Sequence, residues 1–149
     1  MTYELSRGGY VVTTDPSRLD IDYIHAFLTR SYWARGIPRV VVARAIENSL
    51  NFGLFEGARQ VGFARAITDR AWYAYIADVF VDEAHRGKGL GKLIMEAVTS
   101  HPELQNLRRM MLGTADAHGL YRQFGFTDVD KPERWMTRAN SAINQRAAS

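Results

Sequence analysis

Apolar residues first gather in a short extended run, Tyr10-Val11-Val12-Thr13, followed by the turn cluster Asp15-Pro16-Ser17. Ile21, Ile24 and Leu28 then recur at helical spacing with Tyr23 and Phe27 beside them, which predicts a helix with one apolar face. A second helix is predicted after Pro38, where Val41/Ala45 and Val42/Ile46 carry the stripe as far as Asn48-Ser49. From Leu50 the period drops to two, and Phe52, Leu54, Val61 and Phe63 flank Glu56-Gly57-Ala58-Arg59 as the arms of a hairpin would. A long strand is predicted from about Trp72 to Val81, apolar on both faces like a central strand, with Asp78 as its lone charge. Leu90, Leu93, Ile94, Ala97 and Val98 predict the most regular amphipathic helix, stopped by His101-Pro102. Met110-Met111-Leu112 predicts another strand. Asp116 is the expected cap of a short helix over Leu120 to Phe124, Gly125 is its C-terminal stop, and Phe126 is expected to restart extended chain. Residues 1–138 are expected to form one domain and residues 139–149, nearly devoid of large apolar side chains, to fray.

Composition narrows the chemistry. Hydrophobic residues at 46% and charged residues at 23% exclude a disordered or fibrous chain. Zero cysteines exclude a disulfide scaffold, a thiolate zinc site and a cysteine nucleophile, and fit a reducing compartment. Met1-Thr2-Tyr3-Glu4 has no signal pattern and no apolar run nears the roughly 18 residues of a membrane span, so the expected location is cytoplasmic, with no membrane partner. A net charge of +3 is too mild to argue for nucleic acid but suits an anionic small ligand. The histidines at 25, 85, 101 and 118 have no metal-ligand spacing, so no metal is expected.

The segment between the long strand and the regular helix, Arg86-Gly87-Lys88-Gly89-Leu90-Gly91, carries the strongest local signal. Alternating glycines let the backbone turn sharply and aim successive N–H groups at one point, at a helix N-terminus that favours negative charge. Arg86 and Lys88 add full positive charge. Two familiar phosphate motifs fail the spacing. Gly87 and Gly91 enclose three residues where a Walker A loop needs four, and Lys92 stands where G-x-G-x-x-G read from Gly87 needs glycine.

The pattern Arg86, Gly89, Gly91 resembles the pyrophosphate loop of the GNAT superfamily of acetyl-CoA-dependent N-acetyltransferases. Leu120-Tyr121-Arg122-Gln123-Phe124-Gly125-Phe126 resembles the late motif of the same family, and the order of elements matches over residues 9–138. The resemblance implies an α/β (α+β) fold: a mixed, mostly antiparallel central sheet with helices on both faces, splayed between the fourth and fifth predicted strands. It also implies acetyl-CoA as cosubstrate, with backbone groups near Val79 and Val81 pairing with the pantetheine arm. Arg86, Gly87, Lys88, Gly89, Leu90 and Gly91 would hold the pyrophosphate. Members often have proline where Glu83 stands and asparagine near Thr114, which leaves a Thr114 contact to the cofactor in question.

Amine acetylation needs a neutral amine and a leaving thiolate. Asp78 is the candidate base, because a charge in an apolar strand needs a partner or a task; the same carboxylate could equally cap a loop or pair with arginine. Tyr121 is the candidate acid for the thiolate. Tyr32, Trp33 and Tyr75, with Trp72 and Tyr73, are candidate walls of an acceptor pocket for a small-molecule or peptide amine. Lacking cysteine and any Gly-x-Ser-x-Gly elbow, the chain is expected to transfer the acetyl group directly in a ternary complex. The alternative is a non-catalytic acyl-CoA-binding or regulatory module. Oligomeric state stays open, a homodimer included.

Overall fold

The computed structural model describes residues 2–143, so of the predicted frayed tail, residues 144–149 lie outside the described residues. Six strands form one sheet in chain order: β1 (Glu4–Arg7), β2 (Tyr10–Thr13), β3 (Leu50–Glu56), β4 (Arg59–Thr68), β5 (Tyr73–Val81) and β6 (Arg109–Leu112). Every neighbouring pair is antiparallel except β5 and β6, which run parallel. Helices α1 (Ile21–Leu28) and α2 (Arg39–Glu47) cover one face, and α3 (Leu90–Ser100) covers the other. A short helix, α4 (His118–Arg122), follows β6.

The two faces have separate cores. Ile24, Leu28, Val42 and Ile46 pack on Phe63 and Phe80 beneath α1 and α2. Phe27 stacks on Phe80 with ring centroids 3.8 Å apart. On the α3 side, Leu93, Ile94, Ala97 and Val98 meet Val12, Phe52, Leu54, Ala64 and Ile76. Each helix begins as its residues dictate: Asp20 accepts a hydrogen bond from the Tyr23 N–H to cap α1, and Pro38 immediately precedes α2, where its missing N–H costs nothing.

Three local expectations change. Strand β1 was not anticipated, because Glu-Leu-Ser-Arg is a largely exposed edge strand that shows no apolar alternation. Asp116 does not cap α4. Ala117 holds the cap position, and the Thr114 hydroxyl accepts from the Ala117 N–H at 3.0 Å, because it stands three residues before that amide. Phe126 restarts no strand among the described residues. Gly125, at φ +86°, does stop α4: the Phe126 N–H reaches the Tyr121 carbonyl (3.2 Å) and the Gly125 N–H the Arg122 carbonyl (3.2 Å).

His101, which ends α3, is 4% exposed and lies edge-on to Tyr3 and Phe52. Its Nδ1 accepts from the Glu103 N–H at 3.1 Å. Burial pushes the imidazole below its ordinary value, Glu103 pulls against that shift, and Arg70 adds to it. The folded chain therefore prefers the neutral ring, and the unfolded chain binds a proton first on acidification. Stability from this group is intact above about pH 6.5 and is lost as pH falls from there to the lower folded value. Thermal midpoints should drop between pH 7.5 and pH 5, and His101→Asn, which caps without titrating, should shrink the drop.

Candidate active site

Strand β5 pairs with β6 only from Tyr73 to Ile76, where β6 ends at Leu112, so residues 77–81 border an open gap. A β-bulge opposite β4 marks the change. Phe63 pairs with Phe80 and Arg65 with Ala77, leaving Asp78 and Val79 opposite Ala64 alone. Asp78 accommodates the extra residue at φ +57°, a left-handed conformation that aspartate tolerates better than most side chains. The bulge shifts the alternation. Ala74 and Ile76 face the α3 core before it, and Val79 and Val81 face the same core after it. The Asp82 N–H donates to the Val61 carbonyl on β4 at 2.7 Å, so by alternation Val79 and Val81 turn their backbone groups into the gap. The Val81 carbonyl is already used: it accepts from Arg86 Nε at 3.1 Å.

The glycine loop closes one end of this gap. Asp82 Oδ1 accepts from the Ala84 N–H, and its Oδ2 from the Tyr23 hydroxyl, which anchors the start of the loop. Gly87 and Gly89 adopt φ +81° and +75°, and Gly89 is the cap residue of α3, so no side chain occupies the first-turn amides. A Cβ built on Gly87 or Gly89 meets no atom within 4 Å. Amides at a helix N-terminus thus face open space. Gly91 serves packing instead, since a Cβ there would lie 3.5 Å from Leu120 on α4. Leu90 is buried in the α3 core, so only its backbone can meet a ligand. Lys88 Nζ lies 3.4 Å from the Tyr10 hydroxyl.

Tyr121 on α4 is 8% exposed, with its ring edge-on to Phe126. Burial raises its hydroxyl above the ordinary tyrosine value, and the charges of Tyr32 and Asp116 raise it further. The same arrangement brings Tyr32, from the connection between α1 and α2, within electrostatic reach of Tyr121. Trp33 Nε1 donates to Asp78 Oδ1 at 3.0 Å. Tyr75 is nearly half exposed on β5, and its hydroxyl lies against Gly113 just past the end of β6.

These features are an open strand gap, a loop of free amides and a buried phenol. Residues 18–126 match the sequence model of the acetyltransferase (GNAT) family. The chain belongs to that family. FG08082 of Gibberella zeae, provisionally named an acetyltransferase, is 32% identical over 148 residues, covering 83% of this chain and 82% of the relative. Serotonin N-acetyltransferase 2, chloroplastic, of Oryza sativa subsp. japonica is 30% identical, and the match spans 83% of this chain and 64% of that protein. A solved structure from Xanthomonas campestris pv. campestris, provisionally assigned to the same family, superposes with a TM-score of 0.89 at 48% identity, covering 93% of this chain and 99% of its own. The mixed sheet with helices on both faces is therefore the GNAT fold, as the motifs implied.

The GNAT chain's residues fit the acetyl-CoA that this family uses. Unoccupied space beside Gly87 and Gly89, free helix-end amides, and outward backbone groups at Val79 and Val81 are what a diphosphate and an amide-containing arm require. Thr114 fits less directly, because its oxygen already accepts from the Ala117 N–H, although its hydroxyl proton remains able to donate. No group of three or more histidine, aspartate or glutamate side chains that could hold a metal occurs among the described residues, and no described helix is long and apolar enough to cross a membrane.

Two cavities lie near these elements. One of about 640 Å³ lies beyond β6 and touches Tyr121, Phe126 and Trp135, but neither β5 nor the glycine loop lines it. The other, about 360 Å³, is walled by Tyr23, Phe27, Tyr32 and Trp33 and floored by Glu83 and Arg86 at the root of the loop. Sequence reasoning missed Tyr23 and Phe27, which read as ordinary members of an apolar helix face. It also missed Arg65, the partner of Asp78 at 2.8 Å. The available signal was its setting, Phe-Ala-Arg-Ala-Ile: a lone charge in an apolar strand, like Asp78 itself.

Proposed function

We propose that the protein transfers an acetyl group from acetyl-CoA to a primary amine of a small molecule or peptide, by direct attack in a ternary complex. The observation that carries this reading is the gap between β5 and β6, with the glycine loop and the N-terminus of α3 at one end of it. Acetyl-CoA bound there supplies a thioester whose acyl carbon the amine attacks.

The chain's own residues divide the work. Gly87 and Gly89 orient amides toward the diphosphate, with Arg86 and Lys88 supplying charge. Val79 and Val81 offer backbone partners to the pantetheine arm. Tyr121 donates a hydrogen bond to the departing sulfur. Its raised pKa keeps the proton on the phenol through neutral pH, and makes full transfer to a thiolate of pKa about 8.5 uphill by more than about 2 kcal/mol. Stabilisation by hydrogen bonding therefore precedes protonation from bulk water. The aromatic cavity beside Tyr32 and Trp33 suits an acceptor with an apolar or aromatic body. Support comes from two proteins: the rice relative is a serotonin N-acetyltransferase by name, and a 16% identical structure from Clostridium acetobutylicum with the same fold (TM-score 0.63) was solved with acetyl-CoA.

The test is thiol release from acetyl-CoA with a panel of amines: serotonin, 2-phenylethylamine, a polyamine and a lysine-containing peptide. Turnover with at least one amine is expected. Thermal stabilisation by coenzyme A without thiol release from any amine would instead support a non-catalytic binding module.

A further inference from the structure

Asp78 stands at the centre of a network that joins four separate stretches of chain. Its Oδ1 accepts from Trp33 Nε1 at 3.0 Å, and its Oδ2 accepts from Arg65 Nε at 2.8 Å. Arg65 also donates to Ser49 Oγ at 3.1 Å, and that hydroxyl donates to the Ala45 carbonyl in α2 at 2.7 Å. Both charged side chains are largely shielded, Arg65 at 15% exposed and Asp78 at 13%. Each carboxylate oxygen is therefore engaged by one donor, so the charge in this strand has its partners within the fold.

The position of this network bears on the site. Asp78 is the bulge residue, held in a left-handed conformation next to Val79, whose backbone faces the gap. Trp33 is 40% exposed and has two ring neighbours, Tyr32 at 5.1 Å edge-on and Phe27 at 6.3 Å. The connection that carries Trp33 also carries Tyr32, which lies within electrostatic reach of Tyr121, and both Tyr32 and Trp33 wall the aromatic cavity. Among the described residues, the hydrogen bond of the Trp33 side chain is the one to Asp78 on β5.

We propose that Asp78 is a positioning residue: clamped by Arg65, it latches Trp33 and so holds the acceptor-binding connection between α1 and α2 against the sheet. The inference rests on the acetyl-transfer reading above and gives the lone strand charge a task other than that of general base. A hydrogen bond between an indole and a buried carboxylate orients the aromatic wall before the acceptor arrives, so the acceptor need not order that segment itself. Its loss falls on acceptor binding and leaves acetyl-CoA binding and the proton-transfer step as they were.

The experiment compares Trp33→Phe, Asp78→Ala, and the double variant Arg65→Gln with Asp78→Asn, using 2-phenylethylamine or whichever amine of the panel turns over fastest. Trp33→Phe keeps an aromatic ring and removes the donor together with part of the ring area, so the indole protection and the rescue by the double variant separate the hydrogen bond from the lost area. It is expected to raise acceptor KM about tenfold, the scale of one hydrogen bond to a charged group, with kcat and acetyl-CoA KM within twofold. The double variant replaces the ion pair with an amide pair that still accepts from the indole. It is expected to recover most of the KM lost in Asp78→Ala, with an unchanged pH profile. Protection of the Trp33 indole N–H from hydrogen exchange should be present in the wild type and the double variant, and lost in Asp78→Ala. Wild-type turnover with an unaltered acceptor KM in Trp33→Phe overturns the latch alone. So does a collapse of kcat in the double variant with a changed pH profile, which would make Asp78 the base. Absence of wild-type turnover with every amine overturns the transferase reading on which the latch rests.

Discussion

Replacing Tyr121 with phenylalanine should lower kcat by about 10²–10⁴ fold, the range contributed by a positioned proton or hydrogen-bond donor. The affinity for coenzyme A should stay the same. The ring is what packs: it is 8% exposed and edge-on to Phe126, and phenylalanine preserves that contact. Among the described residues the hydroxyl makes no hydrogen bond, so its removal leaves no orphaned partner and the fold should persist. Burial first, then Tyr32 and Asp116, raise this phenol above the ordinary tyrosine value, so it carries its proton through neutral pH. A free lysine-like amine is neutral about once in 2,500 molecules at pH 7, a penalty of about 4.6 kcal/mol. With Asp78 acting as a positioning residue and not as a base, kcat/KM for such an amine should climb roughly tenfold per pH unit from 7 toward 10. A plateau well below the pKa of the amine would reveal a dedicated base, and a Tyr121→Phe enzyme with wild-type kcat would remove the phenol from the mechanism.

Gly89→Val should weaken coenzyme A binding by tenfold or more. At φ +75°, Gly89 occupies a region that costs ordinary residues about 1–2 kcal/mol and that β-branched residues rarely enter, so valine drives the backbone elsewhere. The amides of the first turn of α3 then turn away from their common focus. Each hydrogen bond to a charged diphosphate is worth about 1.5–3 kcal/mol, so one lost amide accounts for roughly 10- to 150-fold. Gly91→Ala is the contrast. Its new methyl meets Leu120 at an ordinary 3.5 Å and the helical backbone is unchanged, so affinity should move much less. Calorimetry with coenzyme A at a temperature where circular dichroism shows each variant folded gives the measurement. Equal affinities for Gly89→Val and wild type would remove the loop from the binding site.

Legibility followed the range of the interactions. Helices α1, α2 and α3 were readable because each buries one stripe on a sheet, so the need for a core is written into local spacing. The glycine loop was readable for a similar reason, since its left-handed turns and its place between a strand and a helix are local properties. The edge strand β1 was not, because it pairs on one side and leaves its side chains in water. The partner of Asp78 was not readable either. Arg65 is thirteen residues away in sequence and adjacent only through the β4–β5 register, and Trp33 reaches the same carboxylate from another layer.

The sequence by itself therefore determined most of the elements and the anion-friendly character of the glycine loop, consequences of periodicity and backbone freedom within short windows, while the two-faced sheet came from the family resemblance. Tertiary structure alone decided where β5 bulges, which backbone groups turn into the gap, and that Asp78 is clamped between Arg65 and Trp33. The physical reason is that register, charge pairing and burial are set by neighbours in space. A carboxylate in an apolar strand announces that it must be satisfied, and only the packed chain says by whom.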